Sequence, residues 1–164
     1  MVILVDTREA KPLPFRIEGN VEGVETIKLD VGDYGVRYRD GVRPPAYFER
    51  KAIGDLWGTM TQGYPRWKRE LKRAQEAGVT LILIIEGSLT DVGSGWIHSG
   101  FPGPSMEQKL FTIQVRYSLP IVFSNNRLEM ARYIVEYFSA VGREYVAMKK
   151  LEARGATGQA SSHS

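Results

Sequence analysis

Seven consecutive residues, Val79 to Ile85, carry no charge and form the most apolar run in the chain. A strand of that composition has to be covered on both faces, because water on either side would meet branched aliphatic side chains. The chain therefore needs a layered α/β arrangement, and the run is expected near the centre of its sheet. Val2 to Val5 is a second continuous apolar run, closed by Asp6, and reads as another strand buried on both faces. Val24 to Val31 alternates mostly with period two, then Gly32-Asp33-Tyr34 leads into a strand reaching Tyr38. After a turn at Arg39-Asp40-Gly41 and a break at Pro44-Pro45, Ala46 to Lys51 returns as a strand.

Helical spacing follows. Ile53, Leu56, Trp57 and Met60 fall at i, i+3, i+4 and i+7, and Trp67, Leu71 and Ala74 make a second stripe. Both tryptophans therefore read as core residues first. Gly87 to Ser105, rich in glycine, proline and serine, is expected to be a long irregular loop in which His98 is an ordinary loop residue. Met106 to Tyr117 is expected as a helix, Pro120 to Phe123 as a short strand, and Arg127 to Val141 as a helix continuing past Gly142. On that last helix Ile134, Phe138, Val141 and Tyr145 form a stripe flanked by Tyr133 and Tyr137. This is more apolar surface than one core contact uses, which points to a homodimer. The 164 residues suffice for one compact core. The expectation is a single α/β domain with a mixed sheet over 1–154 and a flexible, solvated tail over 155–164.

Composition removes several classes of function. No apolar run approaches the ~20 residues of a membrane helix, and Met1 to Asp6 reads as a first strand rather than a leader. Cysteine is absent, which excludes disulfide scaffolds, thiolate metal sites and cysteine nucleophiles. The two histidines, His98 and His163, are too far apart for a histidine-rich centre, so any metal would be hard and carboxylate-bound. A net charge of +3 is small, but between Tyr64 and Gln75 the chain gathers Arg66, Lys68, Arg69, Lys72 and Arg73 against the single acid Glu70. Such a face is ordinarily just solvated; beside a phosphodiester site it would track a nucleic-acid backbone.

The acids suggest such a site. Asp6 closes the first strand, Asp33 sits at a turn, Glu49 and Lys51 lie two apart and so on one strand face, and Asp55 begins a helix. Carboxylates gathered together are unfavourable without a cation, so the pattern implies a bound metal or matching bases, with Arg8, Arg50 and Lys51 at hand. The ordered elements Val5-Asp6-Thr7-Arg8-Glu9, Gly32-Asp33-Tyr34 and Glu49-Arg50-Lys51-Ala52-Ile53-Gly54-Asp55 resemble the nuclease domain of XPF-type structure-specific endonucleases. That family's signature is Gly-Asp, a variable gap, Glu-Arg-Lys, three residues and Asp.

The resemblance implies a restriction-endonuclease-like fold, with a central mixed sheet flanked by helices, over roughly residues 1 to 150. It makes Asp33 and Glu49 ligands of Mg²⁺ or Mn²⁺, and places Lys51 by the scissile phosphate and attacking water. Asp6, Arg8, Glu9, Arg50 and Asp55 take positions that support the site or its arrangement. The expected activity is metal-dependent cleavage of branched, flapped or forked DNA in repair or recombination, by a homodimer or with a targeting protein. The expected location is the cytoplasm beside the nucleoid in a bacterial or phage setting, or the nucleus in a eukaryotic one. Two other readings stand beside it: a non-cutting DNA-binding partner of another nuclease, and a sequence-specific restriction-type enzyme. Relatives often have arginine directly after the glycine ending the first helix, where this chain has Gly63-Tyr64-Pro65-Arg66. They also usually continue into helix-hairpin-helix modules or a helicase.

Overall fold

The computed structural model describes the backbone of residues 1–160 and side chains through residue 153. In chain order the elements are β1 (Val2–Asp6), β2 (Gly23–Ile27), β3 (Tyr34–Arg37), β4 (Ala46–Ala52), α1 (Ile53–Met60), α2 (Tyr64–Glu76), β5 (Thr80–Glu86), α3 (Leu89–Gly93), α4 (Gly103–Tyr117), β6 (Ile121–Ser124) and α5 (Arg127–Ala160). The strands form one six-stranded sheet in the order β2-β1-β3-β4-β5-β6. It is mixed: β3 runs antiparallel to β1 and β4, while β1/β2, β4/β5 and β5/β6 are parallel pairs.

Strand alternation divides the core into two layers. Ile82 and Ile84 of β5, Phe48 of β4 and Tyr34 of β3 face α5, where Met130, Ile134 and Phe138 meet them. Leu81, Leu83 and Ile85 face the other way, onto Leu56, Trp57, Trp67, Leu71 and the apolar side of α4. Both tryptophans are buried. The uncharged run is therefore covered on both faces as its composition demands, although β5 lies one strand in from the edge and β3 and β4 form the middle of the sheet.

Two expectations need correction. The period-two stretch is strand only through Ile27. It leaves the ladder because the Leu29 amide turns in to donate to Asp6 Oδ2 at 2.6 Å and Gly32 adopts φ +70°. Gly87 to Ser105 is not all loop: α3 lies within it, held by a capping box in which Ser88 Oγ accepts from the Asp91 amide and Asp91 accepts from the Ser88 amide. The α5 stripe is largely spent inside the molecule. Tyr133, Tyr137 and Phe138 pack edge-on against Phe48 and Tyr145 stacks on Tyr38, while Tyr133 stays 41% exposed. Helix α5 continues past Gly142 to Ala160. Of the tail expected over 155–164, the side chains, and residues 161–164 entirely, lie outside the described residues.

Gly32 matters because it brings the loop before β3 against β4. A Cβ there would sit 2.9 Å from the Phe48 carbonyl oxygen and 3.0 Å from Tyr47 Cβ, on a backbone already at positive φ. Gly32→Ala is expected to lower the urea-unfolding free energy by about 2–4 kcal/mol. Gly41→Ala, also at positive φ but with open space around it, is expected to lose only about 1 kcal/mol.

Candidate active site

Asp33 is held from both sides before its carboxylate is considered. Its carbonyl accepts from the Asp6 amide at 2.8 Å and its amide donates to the Phe48 carbonyl at 2.7 Å. The carboxylate Oδ2 then accepts from the Arg50 amide at 2.8 Å. The neighbouring Tyr34 faces α5, so alternation turns Asp33 to the other face of the sheet. Glu49 and Lys51 share that face, with Lys51 Nζ donating to Glu49 Oε1 at 2.5 Å. The three side chains line one cleft of about 520 Å³, walled by α2.

The electrostatics follow from this crowding. Burial, followed by the negative charge of Glu49, pushes the Asp33 carboxyl up to about 7, against the Arg50 amide and the Lys51 ammonium, which pull it down. Burial alone would depress Lys51, but Glu49, Asp33 and Asp55 outweigh it and hold the amine protonated beyond its usual range. Lys51 is thus an ammonium in this arrangement, a donor to Glu49 and a counter-charge to both carboxylates. The other oxygen of each carboxylate, Asp33 Oδ1 and Glu49 Oε2, makes no hydrogen bond among the described residues.

The remaining sequence candidates separate. Asp6 is fully buried and its oxygens are committed: Oδ1 to the Arg8 amide and to Arg8 Nε at 2.5 Å, Oδ2 to the Leu29 amide. Burial raises its carboxyl, but those bonds outweigh burial and leave it below the usual range. It therefore shapes the site from behind, fixing Arg8, which also donates to the Leu29 carbonyl at 3.1 Å and stands at the cleft rim. Arg50 points to the opposite face, toward Glu9 and Glu86. Asp55 is exposed in the first turn of α1 and reaches the site only as a charge acting on Lys51.

The basic stretch also divides. Arg66 and Arg73 line the cleft with Glu70 between them, because positions 66, 70 and 73 recur on one helical face. Arg69 and Lys72 lie on the outer side of α2. Lys68 turns away to the Tyr64 ring, which Lys109 also covers. Sequence reasoning missed Glu70, Asp30 and Glu86 as site-related residues. Glu70 paired with Arg66 was visible as the only acid in a basic run, and Glu86 as the charge that ends the most apolar strand.

A mixed sheet whose antiparallel hairpin presents two carboxylates and an ammonium to a helix-walled cleft has the layout of a restriction-endonuclease-like nuclease domain. The ERCC4 domain family model matches residues 5–137, and the chain belongs to that family, that of the XPF-type nuclease domains. Among solved structures, XPF from Aeropyrum pernix aligns with a TM-score of 0.65 over 92% of this chain and 70% of that one, at 20% identity. The same protein in a complex with DNA gives a TM-score of 0.63 over 87% of this chain and 65% of that one, at 21% identity. These likenesses establish the fold. None of the curated protein sequences matches the chain.

The raised Asp33 carboxyl links stability to pH. The folded state keeps this proton up to about pH 7, whereas the unfolded chain releases it near 3.8. The group's contribution is therefore full below pH 3.8 and is lost as pH rises through about 7. Asp33→Asn removes that loss. Without added divalent cations the variant is expected to melt above the parent at pH 8, with a smaller margin at pH 5, in thermal unfolding followed by circular dichroism.

Proposed function

We propose that this chain is a divalent-metal-dependent DNA endonuclease that hydrolyses phosphodiester bonds in branched, flapped or forked DNA during repair or recombination. The observation that carries the reading is the Asp33–Glu49–Lys51 group, set in a cleft with arginine on both walls. Membership of the ERCC4 family and the likeness to an XPF protein whose structure includes DNA support the nuclease activity and the DNA substrate. Branched substrates rest on the family resemblance.

The donor set fits Mg²⁺ or Mn²⁺. Two hard carboxylates lie close enough for one to raise the other, and each keeps an oxygen clear of hydrogen bonds. Among the described residues no group of three or more histidine, cysteine, aspartate or glutamate side chains is arranged as a metal cage. Asp33 and Glu49 would therefore hold the ion with water and phosphate oxygens completing its shell, the usual way Mg²⁺ is bound. When bound, the ion lowers the pKa of water and neutralises charge developing on the phosphate.

The protein's own groups do the rest. Lys51, aligned by Glu49, presents a proton donor and a positive charge to the phosphate, and Glu49, with Asp33 and Asp55 behind it, keeps that amine charged. Arg8, fixed by Asp6, holds the strand from one wall while Arg66 and Arg73 hold it from the other. Arg69 and Lys72 lie outside the cleft and would meet only more distant phosphates, and Lys68, turned to the Tyr64 ring, meets none. The retained carboxylates speak against a non-cutting partner subunit. A second copy or a targeting protein belongs to the same reading, supported by the exposed apolar Val146, Met148 and Leu151 on α5. No helix among the described residues is long and apolar enough to cross a membrane.

Labelled forks, flaps, plain duplex and single strands incubated with Mg²⁺ or Mn²⁺ test the reading directly. The expected result is cleavage nearest the branch, stopped by EDTA and lowered more than about 100-fold in Asp33→Asn and Glu49→Gln. A folded parent that cuts none of these substrates defeats it. In binding titrations against salt, Arg73→Ala is expected to reduce the slope of log K against log salt by about 0.9 on duplex, one phosphate contact. Lys68→Ala should leave that slope unchanged.

A further inference from the structure

The candidate site straddles a narrow seam. Strand β3 pairs with β1 at four positions but with β4 only where Tyr34 meets Phe48, among the described residues, and just before it Asp33 adds its amide to the Phe48 carbonyl and its carboxylate to the Arg50 amide. Asp33 lies on the β3 side of that seam and Glu49 with Lys51 on the β4 side. The spacing of the two carboxylates therefore depends on whatever keeps β3 and β4 from sliding or splaying.

Behind the seam, on the α5 face, sits an ionic cluster that the chemistry does not use. The Arg50 guanidinium is only 12% exposed and lies between Glu9, 9% exposed, and Glu86, 29% exposed. Nη2 donates to Glu86 Oε2 at 2.8 Å, and Nη1 lies 3.8 Å from Glu9 Oε2. Glu9 Oε2 also accepts from the Tyr34 hydroxyl at 3.3 Å. That hydroxyl accepts from the Leu13 amide at 3.1 Å. In space the order is the turn after β1, then β3, β4 and β5, four neighbours across the sheet.

Arg50 Nε is buried without a hydrogen-bond partner. Its two carboxylates hold the side chain, rather than full satisfaction of its donors. The backbone amide of the same residue donates to Asp33 Oδ2. The cluster on the α5 face and the carboxylate in the cleft thus meet at one residue, Arg50.

We infer that Glu86 is a positioning residue of the active site: as the β5 counter-ion of Arg50 it braces the β3–β4 seam from behind and sets the separation of Asp33 from Glu49. The brace touches neither substrate nor metal. It acts by fixing where the Arg50 amide and the Glu49 side chain stand, and Glu9, tied to Tyr34, anchors its other end. This inference rests on the nuclease reading of the same cleft.

The test is Glu86→Gln, which keeps the shape and a weaker hydrogen bond while removing the charge, with Arg50→Lys as a second variant. Two quantities are measured on each full chain: Mn²⁺ binding by calorimetry, without DNA, and kcat and KM on a cleaved fork. For Glu86→Gln the half-saturating Mn²⁺ concentration is expected to rise about 5–10-fold and kcat to fall about 10-fold, with KM for DNA unchanged. Arg50→Lys, unable to span both carboxylates, is expected to behave likewise, and the double variant to be no worse than the poorer single one. A purely structural ion pair would lower the melting temperature without this split. If Glu86→Gln does not fold, the Mn²⁺ titration of Arg50→Lys decides. Folded variants with the parent's Mn²⁺ affinity and kcat overturn the brace and leave the nuclease reading standing. A folded parent that neither takes up Mn²⁺ nor cuts overturns both.

Discussion

Three hydrogen bonds at Asp33 join the end of β1 to the middle of β4: its carbonyl to the Asp6 amide, its amide to the Phe48 carbonyl, and its carboxylate to the Arg50 amide. Gly32 makes the approach possible, since a side chain there would run into the Phe48 carbonyl. From this junction the rest of the site takes its place. Glu49 follows Phe48 and faces the cleft, and Lys51 follows two residues later on the same side. Asp6, at the β1 end of the junction, spends both oxygens on Arg8 and Leu29, bringing a guanidinium to the rim.

The same β4 residues carry two charge arrangements on two faces. On the cleft side, two carboxylates flank a lysine and one of them is driven up toward neutrality. On the α5 side, two carboxylates flank an arginine that is nearly closed off from water. The first is under-compensated and partly open to the cleft, which suits it to receive a cation and a phosphate. The second has the same ratio of two carboxylates to one cation, but its charges are taken up by one another and by the Tyr34 hydroxyl, which suits it to hold position. A buried ion pair adds little net stability of its own, so its value here lies in geometry.

Much of the layout was legible because it depends on local spacing. Period-two alternation placed Glu49 and Lys51 together, and the helical stripes placed Trp57 and Trp67 inside; Arg50, expected beside the cluster, faces the other side of the sheet. Other features depend on how hydrogen bonds are distributed among distant segments. Asp6 looked like a site acid because it closes a strand, but whether its oxygens face a cleft or an amide from Leu29 is not a local property. The basic run looked uniform, yet α2 turns only Arg66 and Arg73 into the cleft because Trp67, Leu71 and Ala74 must face the sheet. In the stretch after Ile85 the glycines and prolines mask a short capping box, Ser88 to Asp91, that starts α3.

By itself the sequence determined the order of the strands and of every helix but α3, the two covered faces of β5, and the ordered acidic and basic residues that mark the ERCC4 family. These follow from periodicity and motif spacing, which act over a few residues. Only the tertiary structure decided which acids share the cleft, which arginines look into it, and that Glu86 closes a brace behind it. Those outcomes depend on the order of strands in the sheet, and that order brings together residues dozens of positions apart through the packing of both layers at once.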